Sequence, residues 1–298
     1  MSTPPTLTLP SCARAHRLDT ERGGFAVHDA RPDGTPVGTA LLVPGFTGSK
    51  EDFIALLAPL AAAGFRAVAV DGRGQHESPG PRDQRAYEQR ELALDVLAQA
   101  RAVRTPDGDP PHLLGHSLGG LVSRAAALRE PAAFRSLTVL SSGPAAIDPA
   151  QQHRVRMLID ALGTMTMERV WEAMRALDPA PTDAAGTTAA GSPPEAQAPE
   201  IAAFLRQRWL NTVPEQLIAT GRQMLTEPDR VDELARTGLP VHVVSGAVDY
   251  AWPVPLMDAM ARRLRAHRTV IEGAEHSPNA ERPERTATAL ADFWRAVG

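Results

Sequence analysis

Short apolar runs alternate with longer stretches of helical periodicity along most of this chain, and that alternation restricts the folds open to it. The runs lie at 24–30, 38–44, 66–70, 112–115, 137–141, 241–246 and 268–271. Of these, 38-GTALLVP-44 has no polar face, so it is expected in the middle of a sheet covered on both sides. Runs of this kind joined by helices make a mostly parallel sheet with helices packed on it, an α/β fold. Helices are expected at 51–64, with Ser49 as N-cap and Gly64 as stop, and at 87–103. Another starts at Leu118, with Leu121, Val122, Ala125 and Leu128 on one face. Two more are expected at 255–265 and from Pro283, the last with Ala287, Leu290, Phe293, Trp294 and Val297 in one stripe. The runs 24–30 and 38–44, separated by Pro32, Gly34 and Pro36, are expected to pair as a hairpin at a sheet edge.

The rhythm fails between about Pro144 and Arg236. Helical patterns at 153–162 and 201–210 occur there without strands, and between them 179–199 is rich in Pro, Ala, Gly and Thr. The expected organisation is a sheet domain built from 1–143 and 237–298, with a helical cap or lid insertion at 144–236. A flexible linker is expected at 179–199, where there is little to bury.

Charge and cysteine content narrow the partners. The net charge is −4 with no long basic run, which argues against a nucleic-acid surface. No apolar stretch approaches the ~20 residues of a membrane helix. Cys12 is the single cysteine, so neither an internal disulfide nor a cysteine-built metal site can form, and a reducing, cytoplasmic setting is expected.

The chemistry-bearing stretch is 112-HLLGHSLGGLVSRAAAL-128, in which 115-GHSLG-119 stands between an expected strand and an expected helix. A serine on such a strained turn is exposed as a nucleophile, and glycines beside it let strand and helix approach closely. Ser117 also sits at a helix N-terminus, where unpaired N–H groups favour negative charge. A serine needs a base, and the base needs an orienting acid. His276, in the polar loop 272-EGAEHSPNAERPE-284, follows the last strand, and Asp249 follows the strand at 241–246. Both therefore fall at strand carboxyl ends, where open α/β sheets place their chemistry. The order Ser117, Asp249, His276 is the one this kind of turn uses. The plainer roles are a glycine-rich turn, a turn carboxylate and a loop histidine, with Glu272 and Glu275 the next acids to consider. Backbone N–H groups of Leu118 and Phe46, the latter in 44-PGFTGS-49, are the expected oxyanion donors.

With these elements in place the chain resembles the α/β-hydrolase superfamily. The resemblance rests on 41-LLVPGFTGS-49, 71-DGRGQHES-78, 115-GHSLGG-120 and the Asp249 and His276 loops, and the insertion lies where that family carries a cap. It implies nucleophile, acid and base at Ser117, Asp249 and His276, oxyanion donors at Phe46 and Leu118, and no metal or organic cofactor. Two positions depart from the family pattern: Pro44-Gly45 replaces His-Gly, and His76 replaces a glycine, at the surface or rimming a pocket. A serine at the elbow argues against dehalogenase and epoxide-hydrolase chemistry, which in this superfamily uses an aspartate there. The remaining classes include esterases, lipases, thioesterases, lactonases, aminopeptidases, carbon–carbon hydrolases and perhydrolases, besides ligand-binding members of the fold. The expected activity is carboxylic-ester hydrolysis through an acyl-enzyme. The insertion carries Met157, Met165, Met167, Trp171, Met174 and Trp209; with Trp252 from the core they are candidates for a pocket around an apolar acyl or ring-bearing small molecule.

Overall fold

The computed structural model describes residues 1–105, 107–177 and 199–298. Its elements in chain order are strands β1 (Ala13–Thr20), β2 (Gly23–Ala30) and β3 (Gly38–Val43), helix α1 (Ile54–Ala62), β4 (Phe65–Val70), α2 (Gln89–Ala102), β5 (His112–His116), α3 (Leu118–Arg129) and β6 (Ser136–Leu140). Among the described residues five helices follow without a strand: α4 (Pro149–Thr164), α5 (Met167–Leu177), α6 (Pro199–Asn211), α7 (Pro214–Thr226) and α8 (Val231–Ala235). The chain ends with β7 (Val241–Gly246), α9 (Val254–Leu264), β8 (His267–Ile271), α10 (Pro278–Glu281) and α11 (Pro283–Ala296).

The eight strands form one sheet in the order β1-β2-β4-β3-β5-β6-β7-β8. Pairing is antiparallel at β1–β2 and β2–β4 and parallel from β4 to β8. Strands β3, β5, β6 and β7 are buried at every position. Successive residues on them serve opposite layers, as the two-residue period of a strand requires. Leu41, Leu113 and Val243 pack towards α2, α3 and α9, whereas Leu42, Leu114 and Val244 pack towards α1 and α11.

The hairpin expected from 24–30 and 38–44 does not form. β2 pairs with β1 on one side and β4 on the other, while β3 lies between β4 and β5. The all-apolar β3 needs cover on both faces and takes a central place, so β4 separates it from β2. The hairpin present is β1–β2. Its first strand escapes pattern reading because only Ala13 and Leu18 in ARAHRLDT are buried.

Register places the functional loops. Val43 at the end of β3 pairs with Gly115 near the end of β5, so the loops leaving these strands emerge side by side. Helix α1 is preceded by a 3-10 turn at Lys50–Phe53 and stopped by Gly64, whose φ is +91°. Ser49 stands before that turn, but its Oγ donates to Glu51 Oε2 at 2.6 Å.

Helices α4 to α8 lie between β6 and β7; α4 to α7 share an apolar cluster that includes Leu162, Trp171, Leu205, Trp209 and Leu217, whereas Val231 and Leu234 of α8 join the core of the sheet domain. The expected linker at 179–199 lies outside the described residues, apart from Pro199 at the start of α6. No described helix is long and apolar enough to cross a membrane.

Candidate active site

Ser117 stands between β5 and α3 with φ 54° and ψ −120°, in the left-handed region that a residue with a Cβ rarely adopts. Such a conformation costs on the order of 1–3 kcal/mol and persists only where its surroundings impose it. Here close packing imposes it. A Cβ on Gly119 would run into the carbonyl oxygens of Val43 and Pro44, and one on Gly115 into that of Gly119. Ser117 N–H donates to Leu140 O at 2.9 Å, which ties the turn to β6.

His276 and Asp249 arrive from the two loops beyond β8 and β7. These loops touch because Gly246 has no side chain; a Cβ there would meet the carbonyls of Ala274 and Glu275. His276 Nδ1 lies 2.9 Å from Asp249 Oδ2, and Nε2 lies 3.1 Å from Ser117 Oγ. A carboxylate only accepts, so the Nδ1 proton points to Asp249 and Nε2 is left to accept from the serine hydroxyl. Asp249 Oδ1 accepts from Ala251 N at 2.8 Å and Trp252 N at 3.0 Å. The acid is thus a turn carboxylate with one oxygen and a histidine partner with the other. The alternative acids Glu272 and Glu275 are exposed, whereas Ser117, Asp249 and His276 are each buried.

His116, the second residue of the elbow pattern, is a member of the site that sequence reading missed. Its Nε2 donates to His276 O at 2.8 Å and so steadies the loop that carries His276. Burial takes its pKa down to about 3, so the ring is neutral and cannot compete with His276 as a charged group. Trp252 lies 6.5 Å from the His276 ring, nearly parallel to it, and Tyr250 lies 4.8 Å away.

The loop at 44–49 passes so close to the serine that a Cβ on Gly45 would sit 3.2 Å from Ser117 Cβ. Among the described residues the Phe46 N–H has no protein acceptor. Leu118 is the first residue of α3, where the helix supplies its N–H with no partner. Two unpaired donors therefore flank the serine.

A cavity of about 150 Å³ opens beside Ser117 and His276. Its apolar wall is Phe46, Ile147, Val155 and Met224, with Tyr250 at one side and Met1 and Ser2 from the N-terminal segment. The pocket residues expected from the sequence, Met157, Trp171, Trp209, Trp252 and His76, do not line it. Met157 is half-exposed, and so is much of Met165. Trp171 and Trp209, with Met167 and Met174, pack into the insertion's own cluster. Trp252 is fully buried beneath His276, its Nε1 donating to Ala145 O at 2.8 Å. Bulk and apolarity marked these side chains, but helices of an insertion spend their largest residues on one another.

His76 is neither exposed nor at the pocket. It is buried with φ 44°, its ring edge-on to Phe204 of α6 at 5.5 Å. Beside it Glu51, His76 and Glu77 bring ligand-type atoms within 4.8 Å of one another. Lys50, the sole lysine of the chain, already supplies a cation there: its Nζ lies 2.8 Å from Glu51, 2.7 Å from Glu77 and 3.0 Å from Asp71.

Comparison with known proteins agrees with this architecture. The profile described as the alpha/beta hydrolase family matches residues 40–289. A pimeloyl-(acyl-carrier protein) methyl ester esterase of Edwardsiella ictaluri is 31% identical over 248 residues, covering 80% of this chain and 86% of that protein. A protein of Variovorax paradoxus named for carbamate hydrolysis is 39% identical over 102 residues, 34% of this chain and 37% of its own. The structure of a thermophilic esterase from Thermogutta terrifontis superposes with a TM-score of 0.72 at 24% identity, over 96% of this chain and 99% of that one.

Proposed function

The chain belongs to the alpha/beta hydrolase family, and from that premise we propose that it is a serine hydrolase cleaving a carboxylic ester, or a related acyl substrate, through an acyl-enzyme on Ser117. The observation that carries the reading is the continuous relay from Asp249 through His276 to Ser117, at 2.9 and 3.1 Å, set on a strained turn. The name of the Edwardsiella relative, a methyl ester esterase, supports an ester as the bond cleaved.

In this mechanism Ser117 Oγ attacks the substrate carbonyl while His276 Nε2 takes the hydroxyl proton. The carbonyl oxygen becomes an oxyanion that accepts from the N–H groups of Phe46 and Leu118. Asp249 holds the Nδ1–H tautomer and stabilises the imidazolium. The C–O bond breaks as His276 returns the proton to the departing alcohol. Water then enters, gives a proton to His276 and attacks the acyl carbon, and Ser117 leaves with that proton restored. The substrate is a small molecule with an apolar acyl group. The helices from α4 to α8 act as the cap over it, and the single Cys12 fits a cytoplasmic setting.

Labelling with a fluorophosphonate probe tests the reading. Wild type should be labelled at Ser117 and hydrolyse short p-nitrophenyl esters, and Ser117→Ala should lose both. A folded wild-type protein that neither reacts with the probe nor turns over any of a panel of esters, thioesters and lactones is not a serine hydrolase.

A further inference from the structure

We propose that Gln75 is a positioning residue for this reaction, holding the Gly45–Phe46 peptide so that the Phe46 N–H faces the oxygen that takes up negative charge. The inference rests on the ester-hydrolase reading above. It gives a role to the loop 71-DGRGQHES-78, which the relay itself does not use.

Gln75 is buried, and both ends of its amide are engaged. Its Oε1 accepts from Gly72 N at 3.0 Å, and its Nε2 donates to Gly45 O at 2.8 Å. Because a backbone N–H can only donate, the contact with Gly72 fixes which end is oxygen and leaves the NH₂ facing Gly45. Gly72 makes the approach possible, since a Cβ there would come within 2.5 Å of Gln75 Oε1.

The peptide being held is the one that matters. Gly45 C=O and Phe46 N–H belong to a single planar unit and point in opposite directions. Fixing the oxygen at one end therefore aims the N–H at the other. Gly45 O also accepts from Gly48 N at 3.2 Å, but that bond lies within the loop and moves with it. Gln75 supplies the tether from outside. The far end of the loop is held from the same stretch: Asp71 Oδ1 accepts from Lys50 N at 2.7 Å. Loop 71–78 thus braces the oxyanion loop at both ends. A donor stabilises the transition state most when it need not reorient as charge develops, and Gln75 removes that need.

The test uses Gln75→Leu, which removes the tether, and Gln75→Glu, which keeps the shape. In Gln75→Glu one oxygen still meets Gly72 N–H, but the other faces the Gly45 carbonyl and can donate only when protonated. With a p-nitrophenyl ester, both variants are expected to lose about tenfold to a hundredfold in kcat at pH 8, with KM within about twofold of wild type. The matching thionoester should lose far less, because its sulfur is a weak acceptor and draws less on the oxyanion donors. The activity of Gln75→Glu relative to wild type should rise as pH is lowered. If ester and thionoester rates fall by the same factor, or both variants keep wild-type kcat, Gln75 serves the fold alone and the proposal is wrong. If Gln75→Leu does not fold, the isosteric variant and its pH dependence decide. Should wild type cleave no ester at all, the reaction assigned above fails, and the amide resonances of ¹⁵N-labelled protein judge the tether separately. A Phe46 signal displaced in Gln75→Glu supports it; an unmoved signal overturns it.

Discussion

Arg208 of α6 donates from Nη1 to Asp52 Oδ1 at 2.7 Å, and both residues are fully buried. Asp52 also accepts from Ser49 N at 3.3 Å, and its carbonyl accepts from Asn279 Nδ2 at 2.7 Å. One residue, through its carboxylate and its backbone carbonyl, thus links the helical insertion, the end of the loop after β3 and the segment that follows His276. Burial pushes this carboxyl up from its ordinary range, against the pull of the guanidinium. Arg208→Leu leaves the acid buried without its partner, which is expected to cost about 3–5 kcal/mol. Adding Asp52→Asn should recover part of that loss. Urea unfolding measures both, and a single-variant loss below about 1 kcal/mol would make the pair energetically idle.

Asp249→Asn separates the two jobs of that side chain. The amide oxygen can still accept from Ala251 and Trp252, so the turn should survive. The amide nitrogen cannot accept from His276 Nδ1–H, so the ring turns to the wrong tautomer. We expect kcat on a short p-nitrophenyl ester to fall on the order of 10³–10⁴-fold, with thermal stability little changed. An unchanged rate removes Asp249 from the mechanism.

Two glycine-to-alanine substitutions should have opposite signs. Gly119→Ala drives a methyl into the Val43 and Pro44 carbonyls and is expected to cost several kcal/mol, on the scale of overpacking, and to abolish activity. Gly163 lies within α4 with open space where its Cβ would be, so Gly163→Ala should stabilise by about 0.4–1 kcal/mol. Thermal melts of both variants decide. Equal effects would mean that the crowding around the elbow is not what holds Ser117 in its conformation.

The parts of this molecule that could be read from sequence are those whose chemistry is local. Strands β3 to β7 announce themselves because burial on both faces forces apolar runs. Ser117, Asp249 and His276 stand out because each is a polar residue in the turn or loop that leaves a strand at its carboxyl end. β1 gives no such signal, since an edge strand buries only two of its eight side chains. The partner of β2 is not legible in sequence, because a turn-rich connection looks the same whether the next strand lies beside it or one place further along. His116 and Gln75 lie inside 115-GHSLG-119 and 71-DGRGQHES-78, yet their partners, His276 O and Gly45 O, are fixed only by the tertiary fold. The pocket wall was unreadable for a related reason. Ile147, Val155 and Met224 are ordinary apolar residues, and only helix orientation separates them from Trp171 and Trp209.

Buried histidines make the protein acid-sensitive. Burial lowers the pKa of His28 to about 4 and of His112, His116 and His242 to about 3. Each is neutral in the folded state and titrates near its ordinary value once unfolded. Their stabilising effect is complete above pH ~6.5 and is lost as pH falls towards 4 and 3. Asp71 works in the opposite sense, because burial raises its carboxyl to about 7 and the folded state holds its proton as pH falls. The carboxyl of Asp52, also raised by burial, acts in the same sense as Asp71, but the four histidines outnumber these two acids, so unfolding takes up protons and stability falls between about pH 6 and 4.5. Urea midpoints should therefore drop steeply across that range. Stability that is level from pH 7.5 to 5 contradicts this account.

The cavity beside Ser117, at about 150 Å³, is smaller than the 300–1,000 Å³ of typical small-molecule sites. Its apolar side is formed largely from the insertion, with Val155 on α4 and Phe46 on the loop after β3 both lining it. Short acyl groups should fit without displacing these walls, and longer ones should press on Val155. Val155→Phe is then expected to lower kcat/KM for p-nitrophenyl hexanoate by about tenfold or more while leaving the acetate within about twofold, since a few methylenes in an apolar pocket change the barrier by 1–3 kcal/mol each at most. The acetate serves as an internal control, because it reaches Ser117 without touching the substituted wall. A parallel loss on both esters would indicate damage to the relay itself. An unchanged hexanoate rate would mean that the acyl chain leaves the site in another direction.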